Sequence, residues 1–169
     1  IDGVPVAACS GDNAIPVSNG AVTSCFKPAP AGLVPGSHTV QVDFVPDAAS
    51  SPNYNSSSGT FTLKLPATIS GLLFKDLNQD GTQDTGEEPA DYALPVNLDQ
   101  SCDGISEITV FSDPSTGRFS VTGVTPGFQY CLGIPDYGNW RQTKKLEPFT
   151  VTGNVSFDIG VYETVLIFS

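Results

Sequence analysis

The sequence predicts an all-β chain built as two tandem β-sandwich modules. Three observations carry that prediction. Short segments alternate apolar and polar residues with period two. Gly (17) and Pro (14) punctuate the chain between them, and helix-favouring residues are scarce, with no Met and only 7 Lys and Arg among 169 residues. Period-two alternation marks a strand with one buried face, and Gly and Pro supply the backbone angles that tight turns require.

In chain order, residues 4–9 and 21–26 read as the first strands. His38-Thr-Val40-Gln-Val42-Asp-Phe44 alternates after the turn Val34-Pro-Gly-Ser37, and Thr60-Phe-Thr-Leu-Lys-Leu65 alternates after a polar stretch, 50–59, expected to be a loop. Pro66 cannot donate to a ladder, so 66–68 is expected to be a short, stiff linker. A strand over 69–74 then runs straight into an acidic loop. Further strands are expected at 94–98, 107–111, 118–122, 129–134, 149–151 and 155–159, divided by Asp113-Pro-Ser-Thr-Gly117, Thr125-Pro-Gly127 and Pro135-Asp-Tyr-Gly138. About seven short strands suit a small sandwich. The expected modules are therefore 1–65, which carries only about four strands and leaves a sheet edge open, and 66–163, with 164–169 as a separate terminal strand.

The formal net charge of -11 excludes a nucleic-acid face, which needs clustered Lys and Arg. The acidity is uneven. Residues 1–66 hold four carboxylates against Lys27 and Lys64, and most of the excess falls between Asp76 and Asp103. Such a cluster repels itself unless a cation neutralises it. Cys9, Cys25, Cys102 and Cys131 form no C-x-x-C pair and have no nearby His, which argues against zinc. One disulfide within each half is the economical pairing of three, and it implies an oxidising, extracellular setting; two pairs of reduced thiols are the alternative. The chain opens at Ile1 rather than Met, as expected of a mature product or a segment of something longer, and no stretch is long and apolar enough to insert in a membrane.

The acidic loop carries the most specific signal. Counting Asp76 as position 1, side-chain oxygens fall at 1 (Asp76), 3 (Asn78), 5 (Asp80), 9 (Asp84) and 12 (Glu87), with Thr82 at 7 placed to offer its carbonyl and Gly81 at the sharp turn. This is the D-x-N-x-D-G-x5-E calcium pattern. A hard cation of that size takes six to eight oxygens, and alternate residues of a tight turn converge on one point. Magnesium suits so many protein ligands less well. The flanks, Leu72-Leu-Phe74 and Leu94-Pro-Val96, read as strands rather than helices, so the expected ion is structural, a clamp near the joint between modules rather than a switch.

Residues 69–163 resemble the B-type repeats of serine-aspartate-repeat surface adhesins, the SdrD B-like family. The resemblance runs through Ile69-Ser-Gly-Leu-Leu-Phe-Lys-Asp-Leu-Asn-Gln-Asp-Gly81, Asp84-Thr-Gly-Glu-Glu88, Ser112-Asp-Pro-Ser-Thr-Gly-Arg-Phe119 and Phe157-Asp-Ile-Gly160. It implies a calcium-rigidified, prealbumin-like sandwich repeated along a bacterial surface stalk; the pair Cys102/Cys131 departs from the family pattern as an added staple. Residues 1–65 look like the back part of a bacterial Ig-like repeat, on Leu33-Val-Pro-Gly-Ser-His-Thr-Val40 and Asn53-Tyr-Asn-Ser-Ser-Ser-Gly-Thr-Phe61. The missing strand is expected from a neighbouring repeat or another subunit, and Thr164, Val165, Leu166, Ile167 and Phe168 form the candidate donor. Head-to-tail contact of this kind propagates as a filament.

No enzyme is expected. His38 is the only histidine, and its strand-entry position suits a structural role. Lys75 and Asp158 are candidates for an intramolecular isopeptide bond, with a surface lysine the plainer reading. Tyr54, Tyr137 and Trp140 suit packing before they suit a sugar-binding face. Asn55-Ser-Ser57 and Asn154-Val-Ser156 fit the weak glycosylation pattern. The expected function is an extracellular, calcium-stiffened stalk or filament segment whose partners are copies of itself. The alternatives are an adhesin gripping a host protein or glycan, and a non-catalytic spacer of a larger secreted enzyme.

Overall fold

A computed structural model describes residues 1–3, 17–18, 21–22, 32–44, 46 and 53–164. The described residues form twelve strands and no helix, so the fold is all-β. They divide into two compact units, Ile1–Val34 with His38–Leu63 and Pro35–Ser37 with Lys64–Ser169. Cys9 and Cys25, the strand expected at 4–9, most of that at 21–26, and Val165, Leu166, Ile167 and Phe168 lie outside the described residues.

In the first unit, β1 (Val17–Ser18) and β2 (Ala21–Val22) pair antiparallel, Val17 opposite Val22. The strands β3 (Gly36–Phe44) and β4 (Ser57–Leu65) form a second ribbon, of which Gly36, Ser37, Lys64 and Leu65 are counted with the second unit. Ser57, Ser58 and Gly59 therefore belong to a strand and not to the expected loop. They carry no apolar alternation, and a strand's length follows its ladder partner as much as its own pattern. The alternating side chains do not all become buried. His38 is 6% exposed, whereas Val42 is 58% and Phe61 55% exposed.

His38 is held from both sides. Its Nδ1 lies 2.6 Å from Asp2 Oδ2 and its Nε2 lies 2.8 Å from the Val34 carbonyl oxygen. Both neighbours are acceptors, so only the doubly protonated imidazolium donates to both. The backbone closes the same contact, with Thr39 N donating to Asp2 Oδ1 and Asp2 N donating to Thr39 O. The Asp2 carboxylate and the Val34 carbonyl raise the His38 pKa above 6.5, and the His38 ring holds Asp2 below 3.8.

The second unit is a sandwich of two four-stranded sheets. One has the order β10 (Trp140–Gln142), β12 (Val155–Glu163), β5 (Ala67–Lys75), β8 (Arg118–Val124); the other has the order β11 (Phe149–Thr150), β9 (Gln129–Gly133), β6 (Pro95–Gln100), β7 (Ile108–Phe111). The first and last strands, β5 and β12, are parallel neighbours, paired from Ile69 opposite Val155 to Lys75 opposite Val161; the other strand pairs are antiparallel. Ile69, Leu73, Val121, Ile159 and Val161 from one sheet meet Val96, Leu98, Tyr130 and Leu132 from the other in a buried core. Two sheets with one apolar face each can hide those faces only against one another.

Ala67 is already buried and Thr68 N donates to Asn154 Oδ1, so both belong to β5 and only Pro66 separates β4 from β5. The strand β10 had no sequence signal, because three residues are too few to show a period. Gly71 sits where β5 is crowded from both sides: a Cβ there would run into the Phe157 carbonyl oxygen and stand 2.7 Å from the Phe119 ring.

Two outcomes follow from these packing relations. Gly71→Ala should destabilise the second unit by about 1–3 kcal/mol, read in urea by the fluorescence of the single tryptophan, Trp140; an unchanged midpoint contradicts the crowding. The Asp2–His38 contact is complete between pH 3.8 and 6.5. It weakens as pH rises through the raised His38 pKa and, at the acid end, as pH falls through the depressed Asp2 pKa. An NMR titration should place the His38 midpoint above 6.5, and Asp2→Asn should bring it back toward that value. A native midpoint at or below 6.5 contradicts the pairing.

Candidate metal centre

The acidic loop leaves the end of β5 and folds back over it. Its base is closed by Lys75 N donating to Glu88 O (2.8 Å), Ala90 N donating to Leu73 O (2.8 Å), and a bridge between Phe74 and Pro89. Asp76 N donates to Val161 O at 2.9 Å, fixing position 1 against β12. The turn that follows uses left-handed backbone at Gln79 (φ 60°) and Gly81 (φ 82°), which glycine adopts without strain.

Inside the loop the carboxylates are aimed by backbone amides. Asp76 Oδ2 accepts from Gly81 N (2.8 Å), Asn78 Oδ1 from Asp80 N (3.1 Å), and Asp80 Oδ1 from Thr82 N (2.8 Å). Glu87 accepts from Leu77 N through Oε1 (2.8 Å) and from Asp84 N through Oε2 (2.9 Å), spanning both ends of the loop. The Asn78 amide donates to Asp80 Oδ2 (3.1 Å) and Asp84 Oδ2 (2.9 Å). The fold thus links Asp76, Asn78, Asp80, Thr82, Asp84 and Glu87, the six residues singled out from spacing, in one hydrogen-bonded loop, which Thr82 joins through its N–H.

One atom tests whether this donor set suits a cation. Asp76 is 2% exposed, and its Oδ1 is buried without a hydrogen-bond partner. An unpaired buried carboxylate oxygen is costly. The donor set is all oxygen, the chemistry a hard divalent cation takes, but no three of the loop's carboxylates bring ligand oxygens within 4.8 Å of one another in this structure. Asp76 also lies flat against Gly160, where a Cβ would stand 2.6 Å from Oδ2 and 2.9 Å from the Asp76 Cβ. The Gly at 160 therefore makes room for position 1. The loop follows Lys75, at the far end of β5 from Pro66. That is about 26 Å along the strand at about 3.3 Å per residue.

A second acidic group went unnoticed in the sequence. Ligand oxygens of Asp99, Asp103 and Glu107 lie within 4.8 Å of one another and could hold a metal ion; Asp99 is buried and the other two are exposed. Their spacing matches no calcium motif, and the group forms only because β6 and β7 pair as a hairpin. Here the oxygens have backbone partners: Asp99 accepts from Asp103 N and Gly104 N (2.7 Å), and Glu107 accepts from Gln100 N (2.6 Å). The same hairpin end carries Cys102, disulfide-bonded to Cys131 on β9 with 5.2 Å between Cα atoms. The staple ties the acidic turn to the strand that Asp99 already faces.

Thr164 is fixed at the exit of the unit, its N and Oγ1 both donating to Asn139 O (2.7 and 2.9 Å). Lys75 bonds Asp91 at 2.7 Å rather than Asp158, which lies opposite Leu72, so the isopeptide pairing is not formed. The Lys75 ammonium lowers the Asp91 pKa, and hydrogen bonds from Ser115 lower that of Asp113 in its turn. Trp140 is 8% exposed and packs against Tyr92 at 5.7 Å between ring centres, leaving Tyr137 48% exposed and, in the other unit, Tyr54 63% exposed. Compared with known proteins, the chain matches no family model and no curated protein.

Proposed function

We propose that the chain is an extracellular structural protein, a segment of a bacterial surface stalk or filament, in which a calcium ion held by the 76–87 loop stiffens the second unit. The observation that carries this reading is the loop itself. Its oxygen donors are organised by backbone amides, its base is tied to β5 and β12, and Asp76 Oδ1 is buried and without a partner. Asp76, Asn78, Asp80, Asp84 and Glu87 would hold the ion through side-chain oxygens, with the Thr82 carbonyl in the remaining motif position. Bound there, the ion supplies charge neutralisation and a cross-link within the loop. The strands on either side leave no helix pair to open, so a constant mechanical role suits it better than signalling.

The resemblance of 69–163 to SdrD B-like repeats points the same way. So does the Cys102–Cys131 disulfide, which belongs to oxidising compartments, and among the described residues no helix is long and apolar enough to cross a membrane. Head-to-tail assembly is part of the proposal. Thr164 follows the end of β12, and the β3–β4 ribbon carries exposed Val42 and Phe61 that an added strand would cover.

Thermal unfolding in calcium and in EDTA tests the ion. At about 100 times its dissociation constant, calcium should add about 2.7 kcal/mol to the second unit, several degrees or more in Tm. Asp76→Asn should abolish the difference, whereas equal melting in both buffers refutes the site. Assembly is tested by light scattering on the whole chain and on a chain ending at Thr164. End-to-end oligomers lost on truncation are expected; a monomer in both cases refutes strand donation.

A further inference from the structure

Among the described residues, two buried side-chain oxygens have no hydrogen-bond partner: Asp76 Oδ1 and the Thr143 hydroxyl. They come from elements far apart in sequence, and the topology brings them to one face. Thr143 follows β10 directly and its N–H donates to Gly160 O at 2.9 Å, which continues the β10–β12 register beyond Gln142 opposite Val161. Thr143 thus stands opposite Gly160, and residues opposed in an antiparallel pair project their side chains from the same face. That face is the one turned away from the core, because Ile159 and Val161 on either side of Gly160 are the core residues.

The space above Gly160 is filled by Asp76, whose Oδ2 is 2.6 Å from where a Cβ of residue 160 would be. Lys144, the neighbour of Thr143, packs under the loop as well, its Cβ 3.0 Å from a Cβ placed on Gly81. Asp76 and Thr143 thus share the outer face of β12 at Gly160, one packed on the glycine and the other opposite it in the ladder. They do not bond each other. Buried polar groups without partners are rare, and each calls for an explanation such as an ion or a bridging water. A single ion site beside Asp76 explains both.

We infer that Thr143 is an outside member of the cation site: its hydroxyl hydrogen-bonds to the oxygen shell of the ion in the 76–87 loop and ties that ion to β10 and β12. The inference rests on reading the loop as a cation site. It adds a residue that lies 56 positions beyond Glu87 in the sequence and in no part of the calcium motif. It also gives the hydroxyl a sign that depends on the ion. Without metal, Thr143 buries an unsatisfied oxygen, so an isosteric methyl in its place relieves a penalty. With metal, the same change removes a supporting contact, and losses of this kind weaken metal affinity about 10- to 100-fold.

The experiment compares the whole chain with Thr143→Val, Thr143→Ser and Asp76→Asn, by calorimetric titration with calcium chloride and by melting in EDTA. Thr143→Val should bind calcium about tenfold or more weakly while melting in EDTA at the native temperature or above it, and Thr143→Ser should match the native chain in both. Calcium binding by Thr143→Val at native affinity, with Asp76→Asn unable to bind, overturns the role of Thr143 and leaves the loop site standing. A Thr143→Val chain that is also less stable in EDTA overturns it too, since the hydroxyl would then be packing rather than ligand support. A native chain that binds no calcium refutes the loop site, and this inference with it.

Discussion

The second unit is organised by the parallel pairing of its first and last strands. A parallel pair cannot be closed by a hairpin, so the chain must cross to the far end and return before β12 can lie beside β5. Everything between them is arranged by that requirement. The strand β8 takes the free edge of β5, β10 takes the free edge of β12, and the second sheet is assembled from the strands left over. Because both strands of the pair run the same way, both end at the same pole. Asp76 and Val161 are joined there by a backbone hydrogen bond, and the acidic loop and the chain exit at Thr164 share that end of the sandwich.

This arrangement aims the proposed calcium loop without helices. In a helical setting the loop is aimed by the helices on either side. Here the aim comes from β5 on one side and the Glu88–Ala90 return on the other, with two backbone bonds closing the base. Four backbone amides within the loop orient the carboxylates of Asp76, Asp80 and Glu87, and a fifth orients the Asn78 side chain. Gly160 is the quiet participant. Any side chain at that position would collide with Asp76.

Much of this was legible beforehand, for physical reasons. The loop residues are contiguous, and their chemistry depends on spacing within one turn, which a sequence displays directly. The long strands of the second unit alternate or run apolar, and turns rich in Gly and Pro bound them. What stayed hidden depended on pairing. Asp99, Asp103 and Glu107 meet only because β6 and β7 form a hairpin. Thr143 reaches the loop only through β12, and β10 is too short to show a period. In the first unit, alternation suggested half-buried strands, yet Val42 and Phe61 stay exposed. Alternation states which face a residue takes, and burial also needs something to cover that face.

The shared polarity of β5 and β12 has a mechanical consequence. The chain enters the sandwich at the start of β5 and leaves it at the end of β12, and these points lie at opposite poles. Tension along the chain therefore slides the two strands past one another. All the ladder hydrogen bonds from Ile69 to Lys75 are then loaded together instead of being peeled apart one at a time. The acidic loop sits where β5 would begin to slip, gripping β12 through Asp76. A chain that must carry a pull gains resistance to rupture from this geometry, whatever its equilibrium stability.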